Sequence, residues 1–159
     1  MSNNPIYFAF NGAGKSWFCK HNLGWIDVEE EFWILNHISG LLPKFLRDHA
    51  RRYDYKVLSN GGPVALPYLL SYFQTGITIF MPADNAEAKA DFLERLRAPD
   101  RGNDHSWYKY MKEHFDERYY GVLRQLRPQD TVIWMDAGKH LSDYLDGDGN
   151  LIEQKTSCI

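Results

Sequence analysis

Short apolar runs alternate along the chain with longer stretches in which apolar residues recur at helical spacing. The runs with the length and composition of buried strands are residues 6–10, 24–28, 56–59, 78–81 and 131–135. The helical spacing predicts helices over residues 15–22, 30–53, 63–73, 85–97 and 104–126, and a short one near residue 139. Strands that alternate with helices are typical of a mostly parallel sheet covered on both faces. We therefore predict a three-layer α/β fold with about five strands.

Composition restricts the classes of protein that this chain can be. Its 159 residues fit one domain, 1–159, and its formal charge of −3 is unusual for a protein that grips duplex DNA by bulk charge. No apolar run approaches 18 residues, so we expect no membrane span. The N-terminus lacks the basic and apolar regions of a signal peptide. Two cysteines without metal spacing fit a reducing compartment, and we expect a cytoplasmic protein.

The most specific motif lies between the first strand and the first helix. It reads Ala9-Phe10-Asn11-Gly12-Ala13-Gly14-Lys15-Ser16, which matches the phosphate-loop pattern G-x-x-x-x-G-K-[ST] except that alanine replaces the first glycine. Glycines let backbone N–H groups approach phosphates closely, and the helix N-terminus adds its positive dipole end. The pattern predicts that Asn11, Gly12, Ala13 and Gly14 hold the phosphates of ATP, that Lys15 reaches the β- and γ-phosphates, and that Ser16 binds Mg²⁺. We expect the Lys15 side chain to point into solvent when no ligand is bound.

From residue 6 to residue 145 the chain resembles small phage-encoded P-loop proteins of the nucleoside or deoxynucleoside monophosphate kinase-like family. The matching segments are the loop at 9–16, YDYKVLSN at 53–60, GITIFMP at 76–82, Lys89 with FLERLR at 92–97, RGND at 101–104 and LSDYL at 141–145. The resemblance implies a P-loop NTPase fold and an arginine-bearing lid at about 95–104. It implies that lid arginines close over the phosphates, a role that falls on Arg95, Arg97 and Arg101.

Arginines at these positions suit phosphoryl transfer, because the transferred group spreads its charge over equatorial oxygens. We predict catalytic roles for Arg95 and Arg101 and a nucleotide-binding role for Arg97. The alternative is a solvated helix terminus at which cations are favoured by the helix dipole.

Asp27 ends the second predicted strand, at the edge where open α/β sheets bind ligands. We predict a catalytic role for it. It would accept a proton from an acceptor hydroxyl or bind Mg²⁺ through water, or it would instead cap the next helix. No apolar run ends in a clear metal-binding aspartate, and Asp136 after the fifth strand is a weaker alternative. Magnesium is therefore expected to depend mainly on Ser16, phosphate oxygens and water.

Together these features predict an ATP-dependent phosphotransferase acting on a nucleoside or deoxynucleoside monophosphate. The first alternative is a P-loop kinase acting on a hydroxyl of a nucleoside or of a modified base in nucleic acid. The second is a nucleotide-binding regulator without transfer activity. The motif is common to all three, and the sequence leaves the acceptor and the oligomeric state open. From about residue 146 the composition predicts a flexible tail.

Overall fold

The computed structural model describes residues 5–27, 56–63, 66–97 and 106–154. The described strands are β1 (Ile6–Ala9), β2 (Trp25–Asp27), β3 (Lys56–Asn60), β4 (Thr78–Pro82) and β5 (Thr131–Met135). The described helices are α1 (Lys15–His21), α2 (Leu66–Tyr72), α3 (Ala86–Arg95) and α4 (Ser106–Leu123), followed by a 3₁₀ helix at Leu141–Asp143. The predicted helix over 30–53 and most of the predicted lid lie outside the described residues. None of the described helices is both long and apolar enough to cross a membrane.

The described strands form one sheet in the order β2-β3-β1-β4-β5, and every neighbouring pair is parallel. The predicted α/β class and the mostly parallel sheet of about five strands are thereby confirmed. β1 lies in the centre, where Phe8 pairs with Ser59 of β3 on one side and with Ile79 of β4 on the other. All three residues are fully buried, as expected for central strands of a parallel sheet.

The direction in which the chain crosses the sheet reverses beside β1. From β1 the chain passes through α1 to β2 at one edge, whereas from β3 it passes through α2 to β4 on the other side of β1. Parallel crossovers are almost always right-handed, so helices on these two routes belong on opposite faces. A reversal of this kind leaves a crevice at the carboxyl ends of the central strands, where open α/β sheets bind ligands. By this rule the crevice of this sheet is expected at the ends of β1 and β3.

Ring contacts agree with helices on both faces. On one face Phe8 meets Phe73, the residue after α2, with ring centroids 5.9 Å apart. Adjacent strand residues point to opposite faces, so Tyr7 faces the other side. There Tyr7 stacks on Trp25 of β2, and Phe18 of α1 packs edge-on against Trp25 with centroids 5.1 Å apart. The strand β1, which leads into the loop before α1, is therefore packed on both faces.

The segment after the 3₁₀ helix folds back onto the start of the sheet. The Tyr7 hydroxyl donates to the Gly149 carbonyl and the Trp25 indole N–H donates to the Gly147 carbonyl, both at 2.8 Å. Composition alone predicts a flexible tail from about residue 146. These bonds instead tie residues 146–150 to β1 and β2, because the glycine-rich turn presents carbonyl oxygens to two aromatic donors.

Candidate functional site

The turn between β1 and α1 has a backbone conformation that favours glycine. Gly12 and Gly14 both have φ of 95°, which is in the left-handed region. A Cβ atom on Gly12 would lie 2.5 Å from the Phe92 carbonyl oxygen of α3, whereas a Cβ atom on Gly14 would meet nothing within 4 Å. The turn is therefore packed tightly against α3 at Gly12 and is open at Gly14, where α1 begins.

The other residues of the predicted loop are also in this turn. Asn11 and Ala13 are buried, and the Ala13 N–H donates to the Phe10 carbonyl at 3.2 Å. The Gly14 carbonyl accepts the Phe18 N–H at 3.1 Å, which starts the hydrogen bonding of α1. Gly14 has no side chain with which to cap the first N–H groups of the helix. The backbone thus forms a compact turn that leads directly into a helix N-terminus at the crevice.

Gly12→Ala is expected to lower the free energy of unfolding by about 3 kcal/mol, because the strain of a positive φ, about 1–3 kcal/mol, is joined by a clash with backbone atoms. Gly14→Ala is the matched control: it has the same φ and no close neighbour, and we expect a loss of about 1–2 kcal/mol. Urea unfolding followed by circular dichroism measures both. Equal losses in the two variants would contradict the close packing of the turn against α3.

Lys15 is the first residue of α1, and only 7% of it is exposed. The expectation that its side chain points into solvent is therefore wrong. Burial depends on what the rest of the fold packs around a residue, which local sequence reasoning does not take into account. A charged group is kept inside a protein when polar partners offset its loss of water, and Lys15 does interact with other groups of the protein.

Ser16 and Asp27 are joined directly. The Ser16 hydroxyl donates to Asp27 Oδ2 at 3.0 Å. Asp27 is the last described residue of β2, whose predicted range is 24–28, and it is only 4% exposed. A serine hydroxyl has one hydrogen and two lone pairs. With its hydrogen directed to Asp27, its lone pairs face away from the carboxylate, so Asp27 fixes the orientation in which Ser16 would bind a cation.

Oxygen ligands of this kind suit magnesium. Within the described ranges, no three histidine, cysteine, aspartate or glutamate side chains are grouped closely enough to hold a metal ion by themselves. Mg²⁺ typically keeps several waters and binds one or two carboxylates together with substrate phosphates. Ser16 and Asp27 fit that donor set. Asp136 is exposed at the end of β5, which β4 separates from β1, and its N–H donates to the Tyr144 hydroxyl at 2.9 Å.

Arg95, the last residue of α3, connects the turn after β1 with the turn after β5. Its guanidinium donates to the Gly12 carbonyl at 3.4 Å, to the Asp91 carboxylate at 2.7 Å and to the Lys139 carbonyl. It also lies over the Phe92 ring, 4.9 Å from the centroid. These contacts make Arg95 a firmly held cation beside the loop, and the catalytic role predicted for it stays a prediction.

Arg97 has a different environment. Its side chain is 59% exposed, its Nη1 donates to Glu94 at 3.4 Å, and its guanidinium lies 5.7 Å from the centre of the Tyr108 ring. These contacts join it to α3 and α4 and not to the turn after β1. Arg101 lies outside the described residues. Of the three predicted arginines, the structure therefore brings Arg95 to the loop.

Sequence reasoning missed Arg118 of α4, which also contacts the turn. Its Nη2 donates to the Asn11 side-chain oxygen at 3.4 Å. Three buried residues of α4 share this face: Met111, Phe115 and Val122. With Arg118 between the last two, the four residues follow one another at intervals of four, three and four. Arg118 therefore continues the buried stripe of the helix. A cation in an otherwise apolar helical stripe is the sequence feature that could have revealed it.

A hydrogen-bonded cluster fixes α4 beside the end of β4. Lys89 of α3 donates to the Tyr120 hydroxyl at 2.8 Å and pairs with Asp84 at 3.0 Å, and the same hydroxyl donates to Asp84 at 2.9 Å. Hydrogen bonds from Lys89 and Tyr120 hold the pKa of Asp84 below its usual value. Tyr119 donates to the Pro82 carbonyl at 2.8 Å, and burial raises the pKa of Tyr119 to about 12. Asp84 is thus charged and Tyr119 keeps its proton near neutral pH, and these hydrogen bonds hold α4 beside the end of β4.

Comparisons with known proteins supply no family for this chain. No protein-family model matches it, and no curated protein matches it significantly. Function must therefore be inferred from the loop, its carboxylate and the arginines beside it.

Proposed function

We propose that the chain is an ATP-dependent phosphotransferase that moves the γ-phosphoryl group of ATP to a nucleoside or deoxynucleoside monophosphate. The observation that carries the proposal is the hydrogen bond from Ser16 to the buried Asp27, made at the start of α1 beside a turn with two positive-φ glycines. The sequence Gly14-Lys15-Ser16 supports the same function. The strand order, with this turn at the crevice beside β1, supports a three-layer P-loop NTPase fold.

The proposed chemistry needs phosphate contacts, a cation and little else. The turn at 11–14 and Lys15 would hold the phosphates, and Ser16 would hold Mg²⁺ together with phosphate oxygens and water. The bond from the γ-phosphorus to the bridging oxygen breaks, and that oxygen leaves with ADP. A new bond forms from the γ-phosphorus to an oxygen of the acceptor phosphate and gives a nucleoside diphosphate. Catalysis is then mostly positioning and stabilisation of charge on the transferred group.

A second candidate function is transfer to a hydroxyl of a nucleoside or of a base in nucleic acid. Asp27 favours it, since a buried carboxylate at the carboxyl end of β2 could accept the proton that the hydroxyl loses when its oxygen bonds to the γ-phosphorus. One of its oxygens, however, already accepts the Ser16 hydroxyl. That contact suits a carboxylate that orients a metal ligand, so we favour the monophosphate acceptor.

The test is a transfer assay with ATP radiolabelled at the γ-phosphate, offered with nucleoside monophosphates, nucleosides and DNA. We expect ADP and a labelled nucleoside diphosphate in equal amounts. Label in nucleosides or DNA, with none in diphosphates, would instead support the second candidate. ATP binding without transfer to any acceptor would contradict both and would indicate a nucleotide-binding regulator.

Arg95→Ala is expected to lower kcat by about tenfold, or about 1.4 kcal/mol of barrier, while changing ATP affinity less. The reason is that Arg95 braces the loop through Gly12 and places its cation beside it, which matters most when charge develops on the transferred group. Arg124→Ala is the matched control and should stay within about twofold of the parent, because this arginine is exposed just beyond α4. Steady-state kinetics with calorimetric binding separates the two effects. An unchanged kcat in Arg95→Ala would remove it from the mechanism.

A further inference from the structure

The geometry points to a further catalytic residue, Arg118, whose guanidinium we propose binds the phosphoryl group during its transfer. The proposal rests on the phosphotransferase function proposed above. It assigns the role to a residue of α4, outside both the loop motif and the predicted lid.

The position of Arg118 is set by the packing of α4 on the strand that leads into the loop. Phe10, the residue after β1, meets the rings of Phe115 and Tyr119 edge-on, with centroids 5.5 and 6.0 Å away. Arg118 lies between these two packed residues in the sequence and donates to Asn11, the next residue of the turn. Because the cluster around Lys89 also fixes α4, contacts among the described residues hold the guanidinium at the turn.

The contact with Asn11 is of a kind that can give way to a stronger one. A guanidinium carries five N–H donors in one plane. The donor to Asn11 is 3.4 Å from a neutral amide oxygen, which is long, whereas charge-assisted bonds to phosphate oxygens are shorter and about twice as strong. As charge builds up on the transferred group, donors from Arg118 would bind its oxygens more tightly than before, which is the condition for catalysis.

The contacts that Arg118 and Arg95 make with their neighbours indicate different roles for the two arginines. Tyr110 lies two turns before Arg118 on α4, and its ring centre is 5.9 Å from the guanidinium carbon, so we assign it as a positioning residue. Arg95 is bound by the Asp91 carboxylate at 2.7 Å, which balances part of its charge and suits a bracing role. Arg118 reaches the turn at the side chain of Asn11, whereas Arg95 reaches it at the backbone carbonyl of Gly12. In the step described above Arg118 acts only as a hydrogen-bond donor.

The experiment measures binding of ADP and Mg²⁺ with and without aluminium fluoride, an anionic mimic of the transferred group, by calorimetry on the full chain. In the parent, aluminium fluoride is expected to tighten ADP binding. In Arg118→Ala that tightening should fall by at least about tenfold, with binding of ADP alone within about twofold of the parent. Arg124→Ala, an exposed arginine just beyond α4, is the matched control and should behave like the parent. Methylguanidine added to Arg118→Ala should restore part of the tightening.

If aluminium fluoride tightened ADP binding to Arg118→Ala as much as to the parent, Arg118 would only pack against Asn11, and the inference would be overturned. Weakened binding of ADP alone, with no rescue by methylguanidine, would mean a structural role and would overturn it equally. If the parent chain bound no ADP, both this inference and the proposed function would be wrong. Loss and rescue of the tightening in a chain that phosphorylates no acceptor in the panel would support Arg118 while refuting the proposed reaction.

Discussion

Lys15→Met is expected to reduce the rate of ATP-dependent transfer by about a hundredfold to a thousandfold, the loss typical when one preorganised donor to a developing charge is removed. In the phosphate-loop pattern this lysine reaches the β- and γ-phosphates. Methionine keeps most of the length and the apolar stem but removes the charge. ATP affinity should also fall, because the lysine contacts phosphates before the reaction as well as during it. Transfer kinetics and calorimetric titration with ATP measure both effects.

The burial of Lys15 makes a stability control necessary. Only 7% of the residue is exposed, so its replacement changes contacts inside the protein, and circular dichroism and urea unfolding must show that the variant folds. Lys20→Met on the same helix, at an exposed position, is the matched control and should leave kinetics and stability near those of the parent. If folded Lys15→Met bound ATP and transferred phosphate like the parent, the phosphate-loop assignment would be wrong.

Much of the described fold could be predicted, because turn residues mark where its elements end. The run Gly61-Gly62-Pro63 follows β3 directly, and Gly76 lies shortly before β4, so both strands were predicted to within one residue at each end. The alternation of strands and helices also indicated a parallel sheet. The order of the strands could not be predicted in this way. It depends on pairings between distant segments, such as Phe8 with Ser59, which leave no local pattern.

Some residues of the candidate site could likewise be predicted from local sequence, whereas others depend on contacts between distant segments. Lys15 and Ser16 belong to a contiguous motif, and Asp27 was found because it ends a strand. The bond that joins Ser16 to Asp27 spans only 11 residues. Arg118 is 107 residues from Asn11, and their contact exists only because α4 packs on the end of β1. Contacts of that range follow from tertiary packing, which also explains why the burial of Lys15 was missed.

Asp27→Asn is expected to lower the transfer rate by about tenfold to a hundredfold at limiting Mg²⁺, the usual cost of changing a group that orients a metal ligand. Asparagine keeps the size of the side chain and can still accept one hydrogen bond, but it removes the negative charge that orients Ser16 and favours a cation. High Mg²⁺ should therefore restore most of the rate. The measurement is kcat as a function of Mg²⁺ concentration, with circular dichroism and ATP binding as controls, since Asp27 is buried.

The same variant distinguishes the two acceptors. If Asp27 were instead the base for a hydroxyl acceptor, its loss would cost about 10²–10⁴-fold in kcat, and added Mg²⁺ would not restore the rate. The double variant Ser16→Ala with Asp27→Asn then decides between the roles. If Asp27 acts through Ser16, the double variant should be little slower than Ser16→Ala alone, because the two changes remove one interaction. If the rate losses of the two single variants multiplied in the double variant, and added Mg²⁺ did not reduce them, Asp27 would have its own part in the chemistry. The monophosphate acceptor would then have to be abandoned.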